Sequence, residues 1–381
     1  MTNLSKRGYS ILKADLKSSE INKIRRDLSV KPFINADYGP PPKAFPVYCE
    51  SNRKLYLPRY YGIKKYGSPE TTKLVEPELI NVEFPKSLKE KQKPIANAFL
   101  DAAKNSGGGI ISIPCGYGKT VIGLYLISQL KVKTLVVVHK EFLLNQWKER
   151  IKEFLPDAKI GRLQSNIIHI EGYDIVIGML QSISMIEYSD TIFSKFGFVI
   201  YDECHHLGAE TFSKALLKTG FRYTLGLSAT PKRADGLTKV FEWYMGGIVY
   251  LQTKKNEDYA EVQLIECNYS DEKYNKVEVN FRGEPCMPKM INNICEYFPR
   301  AELIRDIIKK YNVEGRSILI LSDRRGHLDL LYKMLNGYSR GFYVGGMKPD
   351  ELRESQEKEI ILATFSMASE GMDIPKLNTV I

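Results

Sequence analysis

The chain has 381 residues, 43% of them hydrophobic, and a net charge of +10 with a sequence pI near 9.0. That length allows two or three domains with packed cores, and the charge favours a polyanionic partner. No apolar run reaches the roughly 18 residues a membrane span needs, and MTNLSKRGYS lacks the apolar stretch of a signal peptide; six cysteines without a C-x-x-C pair add a reducing compartment, so a soluble intracellular protein is expected.

Residues 1–86 carry 16 Lys and Arg against 9 Asp and Glu, a net +7, so most of the excess charge lies in the first quarter. Proline and tyrosine punctuate it, as in YGPPPKAFP and KLYLPRYYGIKKYG, which predicts turns and short strands in a small α+β domain. SSEINKIRRDL predicts a helix capped from the region of Ser19 and Asn22. Arg53, Lys54, Arg59, Lys64 and Lys65 are expected on nucleic-acid phosphates and Tyr56, Tyr60 or Tyr61 on bases; the alternative is a purely structural domain or one that docks transcription or repair proteins.

From about residue 87 short apolar runs alternate with amphipathic helices. GIISIP, TLVVVH, YDIVIG, GFVIYD and YTLGLSA read as buried strands, and EFLLNQWKERIKEFL as a helix with Trp147, Ile151, Phe154 and Leu155 on one buried face. Such alternation implies a doubly wound parallel sheet. The pattern pauses at TKKNEDYAE and resumes with SILILSD, GFYVGG, EIILATF and NTVI, so the expected domains are 1–86, 87–250 and 251–381, with the boundary near residues 248–262.

The run GGIISIP leads into CGYGKT and then the apolar-patterned VIGLYLISQL, giving strand, glycine turn and helix N-terminus in the order a phosphate-binding loop requires. The loop Pro114–Cys115–Gly116–Tyr117–Gly118 would cradle phosphates with its backbone N–H groups from Cys115 onward, Lys119 would add charge at the terminal oxygens, and Thr120 would place its hydroxyl on Mg2+. Ile113 stands where the first glycine of G-x-x-x-x-G-K-[ST] belongs. About 80 residues later comes YDECHHLGAE. Cys204, His205 and His206 are neighbours on an extended segment, point in different directions and have no second ligand pair, which argues against zinc. Acids at the end of a buried strand suit another role: Asp202 holds Mg2+ through its water shell and Glu203 polarises the attacking water. His205 senses the terminal phosphate or links to the next strand, and Cys204 packs.

Gly116, Gly118, Lys119 and Thr120, then Asp202-Glu203-Cys204-His205, then Ser228-Ala229-Thr230, resemble motifs I, II and III of superfamily 2 helicases and translocases of the DExH type; PCGYGKT with DECHH is most similar to the XPB/Rad25 branch and its copies in large DNA viruses and phages. The resemblance covers roughly residues 87–381 and implies an α/β fold of two RecA-like domains, the second incomplete at residue 381, that clamp ATP and Mg2+ and move along DNA, single-stranded or duplex, with RNA as the alternative. A nuclear site or a cytoplasmic viral factory would go with viral origin. By resemblance Gln92 reads adenine; His139 and Lys140 (motif Ia) and Gln181 and Ser182 (motif Ib) line the strand track. In the second domain Ser322, Arg324, Thr364 and Ser366 touch the strand, while Glu370, Gly371 and Asp373 face the nucleotide. PKRADG carries Arg233-Ala234-Asp235 where the XPB group has Arg-Glu-Asp. Motif VI, Q-x-x-G-R-x-x-R, would follow motif V, and the sequence reaches Ile381 first; its arginines are expected from a continuation of the chain or from a partner, with hydrolysis by residues 1–381 weak.

Overall fold

The chain opens with an antiparallel hairpin of β1 (Thr2–Ser5) and β2 (Gly8–Leu12), whose GYSIL run is buried over its first four residues. The computed structural model of the protein describes residues 1–33, 43–230, 232–233, 235–253, 261–368, 372 and 374–381. Helix α1 (Ser18–Asp27) follows the hairpin. Its cap comes neither from Ser19 nor from Asn22: the Glu20 carboxylate reaches back to the Lys17 N–H at 3.0 Å, as an acid in the first turn does at an orphan donor. β3 (Ser29–Val30) and β4 (Phe45–Pro46) form a separate two-stranded ladder. β5 (Cys49–Glu50), β6 (Lys54–Leu57) and β7 (Thr71–Lys73) complete a five-stranded sheet in the order β5-β6-β2-β1-β7, with helix α2 (Arg59–Tyr66) between β6 and β7.

Beyond it the predicted alternation folds as one larger sheet. Helix α3 (Lys93–Asn105) precedes β8 (Gly108–Ser112), which is followed by α4 (Lys119–Leu130), β9 (Thr134–Val138), α5 (Glu141–Phe154), β10 (Ile160–Gln164), β11 (Ile167–Ile168) and β12 (Ile175–Met179). Then come α6 (Leu180–Met185), β13 (Phe198–Tyr201), α7 (Glu210–Lys218), β14 (Tyr223–Ser228), α8 (Thr238–Met245) and β15 (Ile248–Leu251). The sheet order is β11-β10-β12-β9-β13-β14-β8-β15, parallel throughout except for β11 on β10. The runs β8, β9, β12 and β13 are buried along their whole length, because helices cover both faces of a parallel sheet. The outer strands β10, β11 and β15 escape a reading by apolar runs: IGRLQ alternates buried and half-buried residues at the sheet's margin.

The chain divides into the units Met1–Lys255 and Asn256–Ile381. In the first, residues 1–86 do not stand apart. Tyr9, Leu55 and Leu57 join Tyr201, Phe241 and Met245 in one continuous apolar core. Arg59 donates to the carbonyls of Arg222 at 3.0 Å and Phe221 at 3.5 Å, Tyr60 Oη donates to Ser106 O at 3.1 Å, and Tyr244 Oη donates back to Val47 O at 2.5 Å. Tyr61 packs edge-on against Trp243 with centroids 5.5 Å apart and donates to Asp27. Arg59 and Tyr60, expected on nucleic acid, thus bind the larger sheet's own backbone.

The second unit contains α9 (Glu272–Asn275), α10 (Met287–Glu296), α11 (Phe298–Val313), β16 (Ile318–Leu321), α12 (Arg325–Met334), β17 (Arg340–Tyr343), α13 (Pro349–Gln356), β18 (Ile360–Ala363), α14 (Phe365–Ala368) and β19 (Thr379–Val380). Its sheet is parallel in the order β17-β18-β16-β19 and has its own core around Ile318, Ile320, Leu328, Leu331 and Leu362. Both units are α/β with parallel sheets, the layout of RecA-like domains.

Candidate nucleotide site and strand-facing loops

All five residues of β8 are buried, and the chain then turns into α4 with Gly116 at φ 80° and Gly118 at φ 82°. Glycine adopts this left-handed backbone without the Cβ clash other residues suffer. At Gly118 a Cβ would also lie 2.5 Å from Gln92 Nε2, so the carboxamide would have to shift. Gln92 is 4% exposed, donates to Tyr117 O and accepts from the Lys89 N–H, both at 3.0 Å, so its carboxamide braces the loop from below. Ile113, the departure from the glycine pattern, is buried and donates its N–H to Ser228 O at 3.1 Å, tying the loop's start to β14. Pro114 and Tyr117 are half-buried and Cys115 exposed. Thr120 lies in the first turn of α4.

β13 delivers Asp202 and Glu203 to the same edge, because parallel strands present their C-terminal ends together. Lys119 Nζ meets Glu203 Oε1 at 2.6 Å with both side chains mostly buried. Burial alone would lower the Lys119 ammonium, but the Glu203 carboxylate, with Asp202 behind it, holds it above its ordinary value. Glu203 has φ 47°, a left-handed conformation that costs a non-glycine residue about 1–3 kcal/mol and concentrates at functional sites. Burial and the adjacent Glu203 push Asp202 above the usual carboxylate range, against the pull of the Trp147 indole and Lys119. Cys204 is fully buried against β14, where a Cβ on Gly226 would come 3.0 Å from its sulfur, and burial pushes its thiol up. Among the described residues no group of three His, Cys, Asp or Glu is placed to hold a metal ion.

His205 Nδ1 lies 3.1 Å from Ser228 Oγ and 3.4 Å from Glu203 Oε2, and Ser228 Oγ also accepts the Thr230 N–H at 3.1 Å. His205 thus links the acids to β14, the second of the two roles expected of it. Arg233 donates to His205 O and pairs with Asp235, while Gly208 leaves space for its guanidinium. Ala234 lies outside the described residues.

On the neighbouring strand ends Gln181 Nε2 donates to His139 O at 2.7 Å and Ser182 Oγ accepts the Ser165 N–H at 3.0 Å. His139 and Ser182 are each 7% exposed, so they shape these loops from beneath; Lys140 and Gln181 are half-buried. His139, His206 and His205 lie ring against ring, at 4.1 Å and 4.4 Å between centroids, joining the end of β9 to the acids. Sequence reasoning does not find His206 and Arg233 as connecting residues. Their signal is tertiary, since nothing in DECHH or KRAD says which strand end they meet.

In the second unit Ser322 and Thr364 follow the paired strands β16 and β18 and share their C-terminal edge. Ser322 Oγ takes the Arg324 N–H at 3.2 Å and lies 3.1 Å from His327 Nδ1; Thr364 Oγ1 lies 3.3 Å from Ser366 Oγ. Arg324 forms no ion pair among the described residues, and its Nε is buried without a hydrogen-bond partner. Glu370, Gly371 and Asp373 lie outside the described residues.

Residues 85–233 match the family described as "Type III restriction enzyme, res subunit". Over the whole chain and 75% of its own length, the "Putative ATP-dependent RNA helicase L396" of Acanthamoeba polyphaga mimivirus is 35% identical. The "DNA 3'-5' translocase XPB2" of Sulfurisphaera tokodaii is 32% identical over 50% of this chain and 43% of its own. Among solved structures, that of T4 UvsW covers 96% of this chain and 80% of its own at 18% identity and a TM-score of 0.42. A glycine turn opening a helix on one parallel sheet, with an Asp-Glu pair at the same edge, accords with the helicase class these relatives define. The chain belongs to superfamily 2 of the helicases, among relatives that include viral helicases and an XPB translocase.

Proposed function

We propose that this chain couples ATP hydrolysis to movement on, or unwinding of, nucleic acid, with DNA as the track, in transcription, repair or recombination. The observation that carries the reading is the Lys119–Glu203 ion pair at 2.6 Å, which brings the phosphate-loop lysine and the acid pair to one point. Lys119 leaves Glu203 for the terminal phosphate when nucleotide enters, because a dianionic partner attracts the ammonium more strongly than one carboxylate. Glu203 is thereby released to accept a proton from the attacking water. Thr120 and Asp202 suit Mg2+, since hydroxyl and carboxylate are the hard oxygen donors it takes; the ion when bound neutralises phosphate charge. His205 passes the state of Glu203 to Ser228, and the His139–His206–His205 rings pass it toward Lys140 and Gln181, which with Ser322, Arg324, Thr364 and Ser366 hold the strand by its backbone. Gln92 and Glu370, Gly371 and Asp373 complete the nucleotide contacts in this reading, and residues 1–86 remain a candidate for nucleic-acid or protein contact.

Lys119→Ala is expected to abolish tight ATP binding, while Glu203→Gln keeps ATP and Mg2+ and loses turnover by about 100 to 10,000-fold. Unchanged ATP affinity in folded Lys119→Ala would sink the assignment. The mimivirus relative's name favours RNA as a second track. ATPase stimulation by single-stranded DNA and by RNA of equal length decides between them.

A further inference from the structure

Trp147 reads in the sequence as one position on the apolar face of α5, and its side chain is indeed fully buried. A Trp carries a donor as well as a ring, however, and this donor points at the acid pair. Its Nε1–H donates to Asp202 Oδ2 at 2.8 Å, while Asp202 Oδ1 accepts the Glu203 N–H at 3.1 Å. Both carboxylate oxygens are thereby held, and each keeps further lone-pair capacity. The far side of the ring lies against the phosphate-loop helix. A Cβ on Gly123 of α4 would sit 3.1 Å from Trp147 Cη2, so a larger residue there would press on the ring.

We propose that Trp147 is a positioning residue for the divalent cation that accompanies the nucleotide, its indole N–H fixing the plane of the Asp202 carboxylate. The inference rests on the reading of Asp202 as the carboxylate that holds the cation. Rotation of Asp202 about its last torsion breaks a charge-assisted hydrogen bond and leaves an indole N–H unpaired in an apolar site, so one orientation dominates. Loss of such an outer partner typically costs about 10 to 100-fold in metal affinity.

Trp147→Phe keeps an aromatic ring and removes only the donor end. Mg2+ is titrated into the full chain at a fixed, subsaturating concentration of a fluorescent, non-hydrolysable ATP analogue, and anisotropy is read. The expected result is a half-saturating Mg2+ concentration raised about 10 to 100-fold, with nucleotide affinity in EDTA within about twofold of the original chain. A Mg2+ response within twofold overturns the proposal. Asp202→Asn run in parallel separates the two ideas: if it also leaves the Mg2+ response unmoved, the reading of Asp202 fails, whereas a shift in Asp202→Asn with none in Trp147→Phe refutes the role of Trp147 alone. Should Trp147→Phe not fold, the unaltered chain still answers. It has two tryptophans, Trp147 and Trp243, hence two indole N–H resonances, which Trp243→Phe assigns. Adding Mg2+ to the nucleotide-bound protein is expected to shift the Trp147 resonance and leave that of Trp243 in place; a stationary Trp147 resonance overturns the proposal.

Discussion

Residues 1–86 and residues 256–381 flank the phosphate-loop sheet in sequence, and each begins as a change of texture, yet they fold on opposite principles. The second unit closes its own core around Ile318, Leu328 and Leu362. The N-terminal region has none of its own: its Tyr9, Leu55 and Leu57 are buried in the same cluster as Tyr201, Phe241 and Met245 of the larger sheet. Basic, proline-rich composition suggests an accessory surface. What the difference teaches is that such composition describes the outside of a segment and says nothing about whether its inside is shared.

The sharpest way to break that comparison is deletion. Removal of residues 1–86 uncovers Leu216, Phe221, Tyr201 and Tyr244, which face Leu4, Gly8 and Arg59 across the junction. Such side chains are worth about 1.5–3 kcal/mol each when fully buried, against about 5–15 kcal/mol for a whole domain. Residues 87–255 are therefore expected to lose cooperative unfolding in urea, whereas residues 1–255 keep it. A sharp transition for 87–255 would show that the shared core is dispensable.

Arg59→Ala tests the same junction at one residue. It leaves the carbonyls of Phe221 and Arg222 without their donor and should lower stability by about 1–3 kcal/mol, read as a fall in Tm of several degrees. Because Arg59 faces inward, the dependence of nucleic-acid affinity on salt should not change. Lys64 is exposed and is proposed to reach a phosphate, so Lys64→Ala is expected to flatten the log–log slope by roughly 0.7 to 0.9. A flattened slope in Arg59→Ala would restore it to the nucleic-acid surface.

A smaller effect distinguishes the second unit. Burial, with Arg300 adding repulsion, holds His327 at about 4, below the ordinary histidine value near 6.5. The unfolded chain therefore binds the proton first, so this unit loses stability as pH falls from about 6.5 to about 4 and no further below it. Calorimetry of the full chain across that window should show one transition moving to lower temperature on acidification, and His327→Gln should reduce the movement; identical pH slopes for the two proteins would refute this.

The order of strands and helices was legible because parallel strands buried on both faces read as unbroken apolar runs, and GIIS, TLVVV, IVIGM and FVIY all became central strands. The phosphate loop was legible for a related reason, since glycines at positive φ before a lysine leave a local signature. The sequence also determined which acids terminate a strand, and hence Asp202 and Glu203 as candidates. Tertiary structure alone decided who touches them. Trp147 lies 55 positions before Asp202 and Ser228 lies 23 after His205, separations at which no local pattern constrains a partner. Only the parallel pairing of β9, β13 and β14, which brings their ends to one edge, sets the indole, the acids, the histidines and Ser228 within hydrogen-bonding or stacking reach. The same holds for Arg59: its charge is in the sequence, but the direction in which it points is fixed by a core that two distant segments close together.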